Sequence, residues 1–262
     1  MTKKTILTTA LILGLGVTAL ASTKARWKAG VLEYFESTTQ ETVSVLRPVV
    51  IYDEFIGAAT AIPVYTDTTE VGIPWRTRSG ANTTVAINGA AVGGVLDTRL
   101  STADGAEQVS VYFADKTPLK GDKLPGFSFN ANLSKIAIAT GGTAEVNIGI
   151  SGVYAAGTIG SANFIGFRYA DTEANWQALV VDTEGTQSKD TGIPVVAGKA
   201  HEFRVELYDF SNIIFFIDGA DVAVAEAASV ATQMQPHIHM YKPGATTEVR
   251  LEVDYFRAWQ NR

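Results

Sequence analysis

Alternating apolar and polar residues mark the C-terminal part of the chain as β-structure. In residues 202–207 (EFRVEL) and 249–255 (VRLEVDY), every second side chain is apolar. Successive side chains of a strand point to opposite faces, so this pattern predicts strands with one buried face and one solvent-facing face. A helix would repeat its apolar positions roughly every 3.6 residues, and these segments do not.

A tight hairpin is predicted at Asp218-Gly219. The apolar run at residues 213–217 meets this dipeptide, and a second apolar run follows it. Asp-Gly favours a type I′ turn because both of its residues tolerate a positive φ. The two runs are therefore predicted to pair as neighbouring antiparallel strands.

Shorter apolar runs predict strands through most of the remaining chain. They lie at residues 74–77, 83–87, 94–100, 109–113, 127–132, 144–150, 164–169 and 176–182. Residues 184–190 are polar and predict an exposed loop tip. About a dozen short strands without a blade-length repeat predict an all-β fold, a two-sheet antiparallel jelly-roll sandwich.

Two segments carry a resemblance to known families. The C-terminal order of strand, IDG hairpin and the ending LEVDYFRAW resembles the concanavalin A-like jelly rolls, the lectin and laminin-G-like group. The stretch ARWKAGVLEYFESTTQETVSVLRPVVIYDEFIG, together with that ending, is similar to tailed-phage virion proteins with the same sandwich. The resemblance covers residues 25–57 and 164–262. It implies a virion structural role, although the wider group also contains sugar binders and glucanases.

Composition and spacing predict one β-domain preceded by an arm. Hydrophobic residues make up 46% of the 262 residues, enough for a sizeable core. Residues 31–36 and 41–46 flank a four-residue connection and predict a hairpin. We therefore divide the chain into an N-terminal arm at residues 1–48 and a concanavalin A-like sandwich at residues 49–262.

Charge and cysteine content narrow the function classes. The net charge of −6 argues against nucleic-acid binding, which needs a basic surface. Residues 1–48 nevertheless carry a net charge of +3, which suggests that the arm docks onto a partner. Because the chain has no cysteine, it offers no disulfide and no cysteine-based metal site or nucleophile.

The N-terminus has two interpretations. Lys3 and Lys4 precede an apolar stretch, and Ala19-Leu20-Ala21 satisfies the small-x-small pattern of a signal peptidase site. This pattern predicts secretion after cleavage near Ala21. A virion protein is assembled in the host cytoplasm, so the virion resemblance instead implies a retained apolar arm.

His237 and His239 are the candidate metal ligands. They lie two residues apart in a predicted strand, which places both on one face. A zinc site also needs a third ligand, for which His201 or a carboxylate is available. The alternative is that both histidines lie on a solvent-facing strand or at a subunit contact, and we predict no metal or other cofactor.

Carboxylate spacing argues against a glucanase. Glucanases of this fold carry closely spaced carboxylates, Glu-x-Asp-x-x-Glu or a close variant, on one strand. Glu252-x-Asp254 is followed by Arg257 at the position of the second Glu, and Glu206-x-x-Asp209 lacks the middle carboxylate. We therefore predict that the chain is not an enzyme.

Aromatic residues supply the glycan-binding candidates. Trp75, Tyr169 and Trp176 would suit the C–H faces of sugar rings if they were exposed. The alternative is that these large side chains belong to the core. Asp residues are scattered along the chain and do not predict a calcium site.

These observations lead to a non-enzymatic virion protein of a tailed phage as the predicted function. The chain would be a decoration or cement protein on the capsid surface, bound to the major capsid protein and assembled as a homo-oligomer, with a trimer as our expectation. Arg26, Trp27 and Lys28 are the predicted anchor residues because Trp and Arg are enriched at binding hot spots. The alternatives are an exported lectin-like carbohydrate-binding module and a tail or fibre component, and weak binding of host glycans is compatible with each.

Overall fold

A computed structural model gives the fold. It describes residues 23–28, 31–36, 49–55, 60–62, 75–88, 94–103, 105–114, 116–136, 143–161, 163–209, 211–227, 233–244 and 248–260. Before residue 51 it describes the backbone alone. No helix in this described part of the chain is long and apolar enough to cross a bilayer.

Strands and two short 3₁₀ helices form the described elements. The strands are, in chain order, β1 (Thr23–Lys28), β2 (Val31–Glu36), β3 (Val49–Asp53), β4 (Thr60–Ala61), β5 (Arg76–Ser79), β6 (Thr83–Ile87), β7 (Leu96–Leu100), β8 (Glu107–Tyr112), β9 (Gly126–Lys135), β10 (Glu145–Ser151), β11 (Phe164–Ala170), β12 (Asn175–Asp182), β13 (Gly185–Pro194), β14 (Ala200–Asp209), β15 (Asn212–Ile217), β16 (Ala220–Ala225), β17 (Gln235–Lys242) and β18 (Val249–Gln260). The 3₁₀ helices are η1 (Gly121–Lys123) and η2 (Ile159–Ser161).

Two antiparallel sheets pack face to face. Sheet A has seven strands in the order β13-β12-β11-β10-β17-β8-β5. Sheet B has nine strands, with the order β16-β15-β14-β9-β18-β7-β6-β4 and β3 paired to β18. Both sheets combine hairpin neighbours with strands that are distant in sequence, as β10 beside β17 and β9 beside β18, which is typical of a jelly roll. The predicted fold class, an all-β jelly-roll sandwich of the concanavalin A-like type, is confirmed.

Aromatic side chains fill the space between the sheets. Phe129 and Phe203 of sheet B stack with their ring centroids 4.9 Å apart. Phe167 of sheet A meets Phe129 edge-on at 6.1 Å, so the core joins the two layers directly. These residues occupy the apolar positions of their alternating patterns, which is why the pattern locates the core.

The predicted hairpin at residues 218–219 is confirmed. Asp218 and Gly219 have φ values of 53° and 80°, and they connect β15 to β16. The Asp218 carboxylate accepts a hydrogen bond from the Glu202 backbone amide at 3.0 Å and lies 2.7 Å from His201 Nδ1. The turn is thus stabilised both by the backbone preferences of Asp218 and Gly219 and by the contacts of Asp218 with His201 and Glu202 in β14.

Residues 184–190 are exposed, as predicted, but the prediction that they form a tip is wrong. Most of this segment belongs to β13, the edge strand of sheet A, which pairs with β12. Its side chains are largely exposed, so the apolar alternation that reveals other strands is absent. An edge strand pairs through backbone hydrogen bonds. Because these do not depend on side-chain type, a polar sequence gives no pattern from which the strand could be predicted.

The chain divides into two compact units, residues 1–50 with 261–262 and residues 51–260. In the first unit, β2 pairs antiparallel with β1. The sequence predicted a partner for β2 at residues 41–46, which lie outside the described residues. The predicted boundary at residue 48 stays a prediction.

Candidate functional site

A row of polar side chains crosses sheet A on the face that points away from the core. Every strand contributes one residue, and each residue lies opposite the next in the strand register. From β13 to β5 the row contains Asp190, Gln177, Arg168, Asn147, His239, Ser110 and Arg78. We call these residues the polar row. The apolar residues between them in each strand face the core, so the row follows directly from the alternation.

His239 is held in one tautomer. Its Nε2 lies 2.6 Å from the backbone oxygen of Gly157, and its Nδ1 lies 2.7 Å from Ser110 Oγ. A carbonyl oxygen only accepts, so Nε2 carries the proton of the neutral ring. Nδ1 then accepts a hydrogen bond from the Ser110 hydroxyl.

His237 is held in the opposite tautomer. The Ser151 hydroxyl donates to the backbone oxygen of Val153 at 3.0 Å, and Ser151 Oγ lies 2.8 Å from His237 Nδ1. The single hydroxyl proton is already in use, so Nδ1 donates to Ser151 Oγ. Nε2 of His237 is left as a buried acceptor without a hydrogen-bond partner among the described residues.

Both imidazoles are neutral at physiological pH. Burial lowers the pKa of His239 to about 4, and the hydrogen bond to Gly157 opposes this shift. Burial also holds the pKa of His237 well below its ordinary value, and the neighbouring His239 lowers it further. Strongly shifted pKa values in a polar cluster are a recognised signature of functional sites.

Glu145 is the buried carboxylate next to the polar row. It is the first residue of β10, two positions before Asn147 on the same face. Burial raises the pKa of its carboxyl group, while the nearby Asn147 side-chain amide and the hydrogen bond from the backbone amide of Ile159 oppose the shift. Glu145 can therefore hold a proton at a higher pH than an ordinary glutamate.

Arg168 and Glu173 form an ion pair beside Glu145. Arg168 Nη2 contacts Glu173 Oε1, and both side chains are 21% exposed. The charge of Glu173 contributes to raising the pKa of Glu145, and that of Arg168 contributes to lowering it. This end of the polar face is open to solvent, whereas both histidines are fully buried.

Residues 152–161, which we call the cover loop, lie over the buried end of the polar face. The Gly157 amide donates to Gln108 Oε1 at 2.7 Å, and the Ile159 amide donates to Glu145 Oε1 at 3.0 Å. Tyr154 lies over the Arg78 guanidinium at 4.4 Å. Ala155 and Ile159 complete a small apolar cluster, whose other members are Phe164, Leu179 and Val181.

The histidines predict a pH-dependent stability. The pKa of His239 is about 4 in the fold, against 6.5 for a free imidazole, so the unfolded chain binds more protons between these values. The stability that the neutral, buried His239 contributes to the fold is complete above pH 6.5 and is lost as the pH falls towards 4. We expect the free energy of unfolding to fall by about 3 kcal/mol over this range through His239 alone. Urea titrations at several pH values measure it.

His239→Gln is the matched variant for this measurement, because its amide has a donor and an acceptor but does not titrate. Its free energy of unfolding should change less with pH than that of the wild type. Glu145 acts in the opposite direction, because its raised pKa favours the folded state as the pH falls. An equal slope in variant and wild type would show that His239 is not the titrating group.

The histidine pair has no metal-binding arrangement in the described residues. His237 and His239 do share one face of β17, with ring centroids 5.8 Å apart. No group of three or more His, Cys, Asp or Glu residues in this part of the structure is arranged to hold a metal ion. His201, the predicted third ligand, belongs to β14 of sheet B and pairs with Asp218. The sequence also expected the pair on a solvent-facing strand or at a subunit contact, whereas both rings are buried beneath the chain's own loop.

The predicted glycan-stacking residues lie in the core. Trp75 is fully buried and meets Phe113 edge-on at 4.7 Å. Trp176 and Tyr169 are 2% and 7% exposed and contact each other at 6.2 Å. Their rings are occupied by core neighbours and present no face to a sugar.

The predicted anchor residues, Arg26, Trp27 and Lys28, lie on β1. Their side chains are outside the described residues, so the anchor role stays a prediction. Glu252 and Glu206 pair with Arg250 and Arg204, both at close range on sheet B. These pairs agree with the interpretation of that face as a solvated polar surface.

Sequence reasoning missed Glu145 and the polar row. The segment EVNIGIS of β10 alternates polar or small residues with apolar ones, and that signal was present in the sequence. The carboxylate search failed there because Asn147 and Gly149 occupy the two alternate positions that follow Glu145.

Several solved structures have a similar fold. A protein of Mycobacterium abscessus assigned as a β-glucanase has a TM-score of 0.53 and 12% identity over 80% of this chain and 99% of its own. The endo-β-1,4-glucuronan lyase of Trichoderma reesei has a TM-score of 0.52 and 11% identity, over 78% and 95%. The laminarinase of Rhodothermus marinus has a TM-score of 0.51 and 12% identity, over 84% and 100%. No family model matches the chain, and no curated protein sequence matches it significantly.

These structures correct one prediction. The sequence predicted that the chain is not an enzyme, yet solved proteins that share its fold over most of its length are a laminarinase and a glucuronan lyase. That prediction is contradicted. It rested on carboxylate positions in β14 and β18 of sheet B, whereas Glu145, the buried glutamate whose pKa is raised, lies on sheet A.

Proposed function

We propose that this chain is a carbohydrate-active protein that binds a polysaccharide along the polar face of sheet A, with Glu145 as the proton-transfer group. The observation that carries the proposal is the polar row, which runs through seven neighbouring strands and has a carboxylate of raised pKa beside it. The activities named for the solved structures of the same fold support the choice of a carbohydrate as the ligand.

The dimensions and chemistry of the row suit an extended chain of sugars. Seven strands at a spacing of about 4.8 Å extend over roughly 29 Å, which matches a polymer better than a single sugar. The row consists of one carboxylate, two amides, one hydroxyl, one imidazole and two guanidinium groups. Sugar hydroxyls both donate and accept, so such a mixed set can bind them in either role.

The end of the face near Glu145 has the groups that proton transfer needs. A carboxyl group with a raised pKa is suited to protonate a leaving oxygen. Glycoside hydrolysis commonly uses a second, ionised carboxylate. Positions 147 and 149 on the same strand hold an amide and a glycine. We therefore assign the second role to Glu173, which is partly exposed and pairs with Arg168.

Glu145→Gln tests this assignment. Gln keeps the shape of Glu145 and an acceptor for the Ile159 amide but cannot deliver a proton. We expect product release from laminarin, mixed-linkage β-glucan or glucuronan to fall at least about 100-fold, the usual contribution of a general acid. Binding of the same polysaccharide, measured by affinity electrophoresis, should remain within about threefold of the wild type.

Glu206→Gln is the matched control, since Glu206 is a half-buried glutamate on the outer face of sheet B. It should leave binding and product release unchanged. If the wild type binds none of these polysaccharides, the proposed function is wrong. If it binds and cleaves one, and Glu145→Gln cleaves it equally well, only the role of Glu145 is wrong.

The localisation and partners form a separate proposal. Secretion after cleavage near Ala21 suits a protein that meets polysaccharides outside the cell, and the signal-like residues 3–21 support it. The alternative, attachment of a homotrimer to the major capsid protein of a tailed phage, is supported only by the sequence resemblance at residues 25–57 and 164–262. Mass spectrometry of secreted fractions and of purified virions would distinguish the two.

A further inference from the structure

The cover loop satisfies the same polar atoms that a sugar chain would use. The side chains of Gln108 and Glu145 accept hydrogen bonds from loop amides, and His239 donates to a loop carbonyl. The Tyr154 hydroxyl accepts a further hydrogen bond from Gln108 Nε2 at 3.1 Å. The loop therefore presents donors and acceptors in a mixture like that of sugar hydroxyls.

The loop is attached to the sheet by few apolar contacts. Ala155 and Ile159 join the small apolar cluster and the Tyr154 ring meets that of Tyr112 at 5.7 Å, whereas Val153 is 47% exposed. Residues 152–161 include three glycines and no charged residue, so ion pairs add nothing to their attachment. Segments with little buried apolar area open at a small fraction of the cost of global unfolding.

We propose that the cover loop is a built-in competitor, which occupies the buried end of the polar face and is displaced when a polysaccharide binds there. This inference rests on the proposed function and adds a regulatory element to the same site. The closed loop buries His237 and His239 and covers part of Gln108, so in the free protein the two histidines are inaccessible while the end of the face near Arg168 is exposed. The apparent affinity for the polysaccharide is then the intrinsic affinity of the open state multiplied by the fraction of molecules in which the loop is open.

Ile159→Ser tests the inference because it removes the main apolar contact of the loop but keeps the backbone amide that binds Glu145. We expect the affinity for laminarin, mixed-linkage β-glucan or glucuronan to rise about tenfold. Loss of the buried Ile159 side chain destabilises the closed loop, and a small loss of burial shifts the equilibrium between closed and open loop by about this factor. Val153→Ser is the matched control. It makes a similar change in the same loop at an exposed position and should leave the affinity unchanged.

Hydrogen exchange on the wild-type protein gives a second readout that does not depend on the variant folding. Binding of the polysaccharide should accelerate exchange of the Gly157 and Ile159 amides, because displacement breaks their bonds to Gln108 and Glu145. Ordinary ligand binding would slow exchange at its site. Slower exchange at these two amides would therefore overturn the inference and identify the loop as part of the binding surface.

The two proposals fail in different ways. Equal binding by the wild type and by folded Ile159→Ser would refute the competitor role and leave polysaccharide binding intact. No binding by either protein to the three polysaccharides would refute both proposals. Tighter binding by Ile159→Ser alone, with accelerated exchange in the wild type, supports both.

Discussion

Replacing Lys242 by alanine is expected to lower the free energy of unfolding by about 3–5 kcal/mol. Lys242 is fully buried, with its Nζ 3.4 Å from Glu107 Oε2. It also donates to the backbone oxygens of Ser101 and Ala103, at 2.6 and 3.0 Å. Without the ammonium group, Glu107 becomes an uncompensated buried charge and two carbonyl oxygens lose their donor. Chemical denaturation monitored by tryptophan fluorescence measures the loss.

Two further variants identify the cause of this loss. Lys199→Ala removes an exposed lysine and should change the free energy of unfolding by less than about 0.5 kcal/mol. Lys242→Met combined with Glu107→Gln removes both buried charges, so it should cost less than Lys242→Ala alone. A double variant as unstable as the single one would show that the lost carbonyl bonds, rather than the uncompensated charge, dominate.

Gly149→Ala is expected to destabilise the fold by about 3 kcal/mol or more, at the upper end of the range for overpacking. A Cβ atom at Gly149 would lie 2.1 Å from the backbone oxygen of Ile165 and 2.7 Å from Gly166 Cα. These atoms belong to the neighbouring strand β11, so the overlap cannot be relieved by rotating a side chain. The two strands would have to separate in the middle of sheet A.

Gly160→Ala is the matched control. A Cβ atom there meets nothing within 4 Å, and the residue lies at the exposed side of the cover loop. Its thermal midpoint should stay close to that of the wild type, whereas that of Gly149→Ala should fall by several degrees. If the two variants have the same thermal midpoint, the close approach of β10 and β11 at Gly149 and Gly166 does not constrain the fold.

Much of the fold was predictable because its determinants are local. Residues 83–87 were predicted as a strand and form β6 with the same limits. The Asp218-Gly219 turn was identified from two residues whose backbone preferences require no tertiary information. The edge strand β13 was missed because its exposed side chains carry no alternation. Backbone pairing with β12 holds it in place, together with the buried Thr191 hydroxyl and the packing of Ile193 against the core.

The candidate site was less predictable because its residues come from separate strands. His237 and His239 were correctly placed on one face, but the sequence could not show that Ser151 and Ser110 determine their tautomers. Nothing in the sequence around Glu145 distinguishes it from the other glutamates. Its raised pKa arises from burial, and a loop that begins after β10 contributes a hydrogen bond to it.

By itself, the sequence determined that this protein is an all-β sandwich, since alternation and turn residues act over a few neighbouring positions. It also limited the available chemistry, because a chain without cysteine must use carboxylates, histidines and hydroxyls. Only the tertiary structure decided which of them meet. Strand register between segments 129 residues apart places Ser110 against His239, and 141 residues separate Lys242 from the Ser101 carbonyl that it binds. Such pairings depend on how the whole core packs, and that global constraint has no local signature in the sequence.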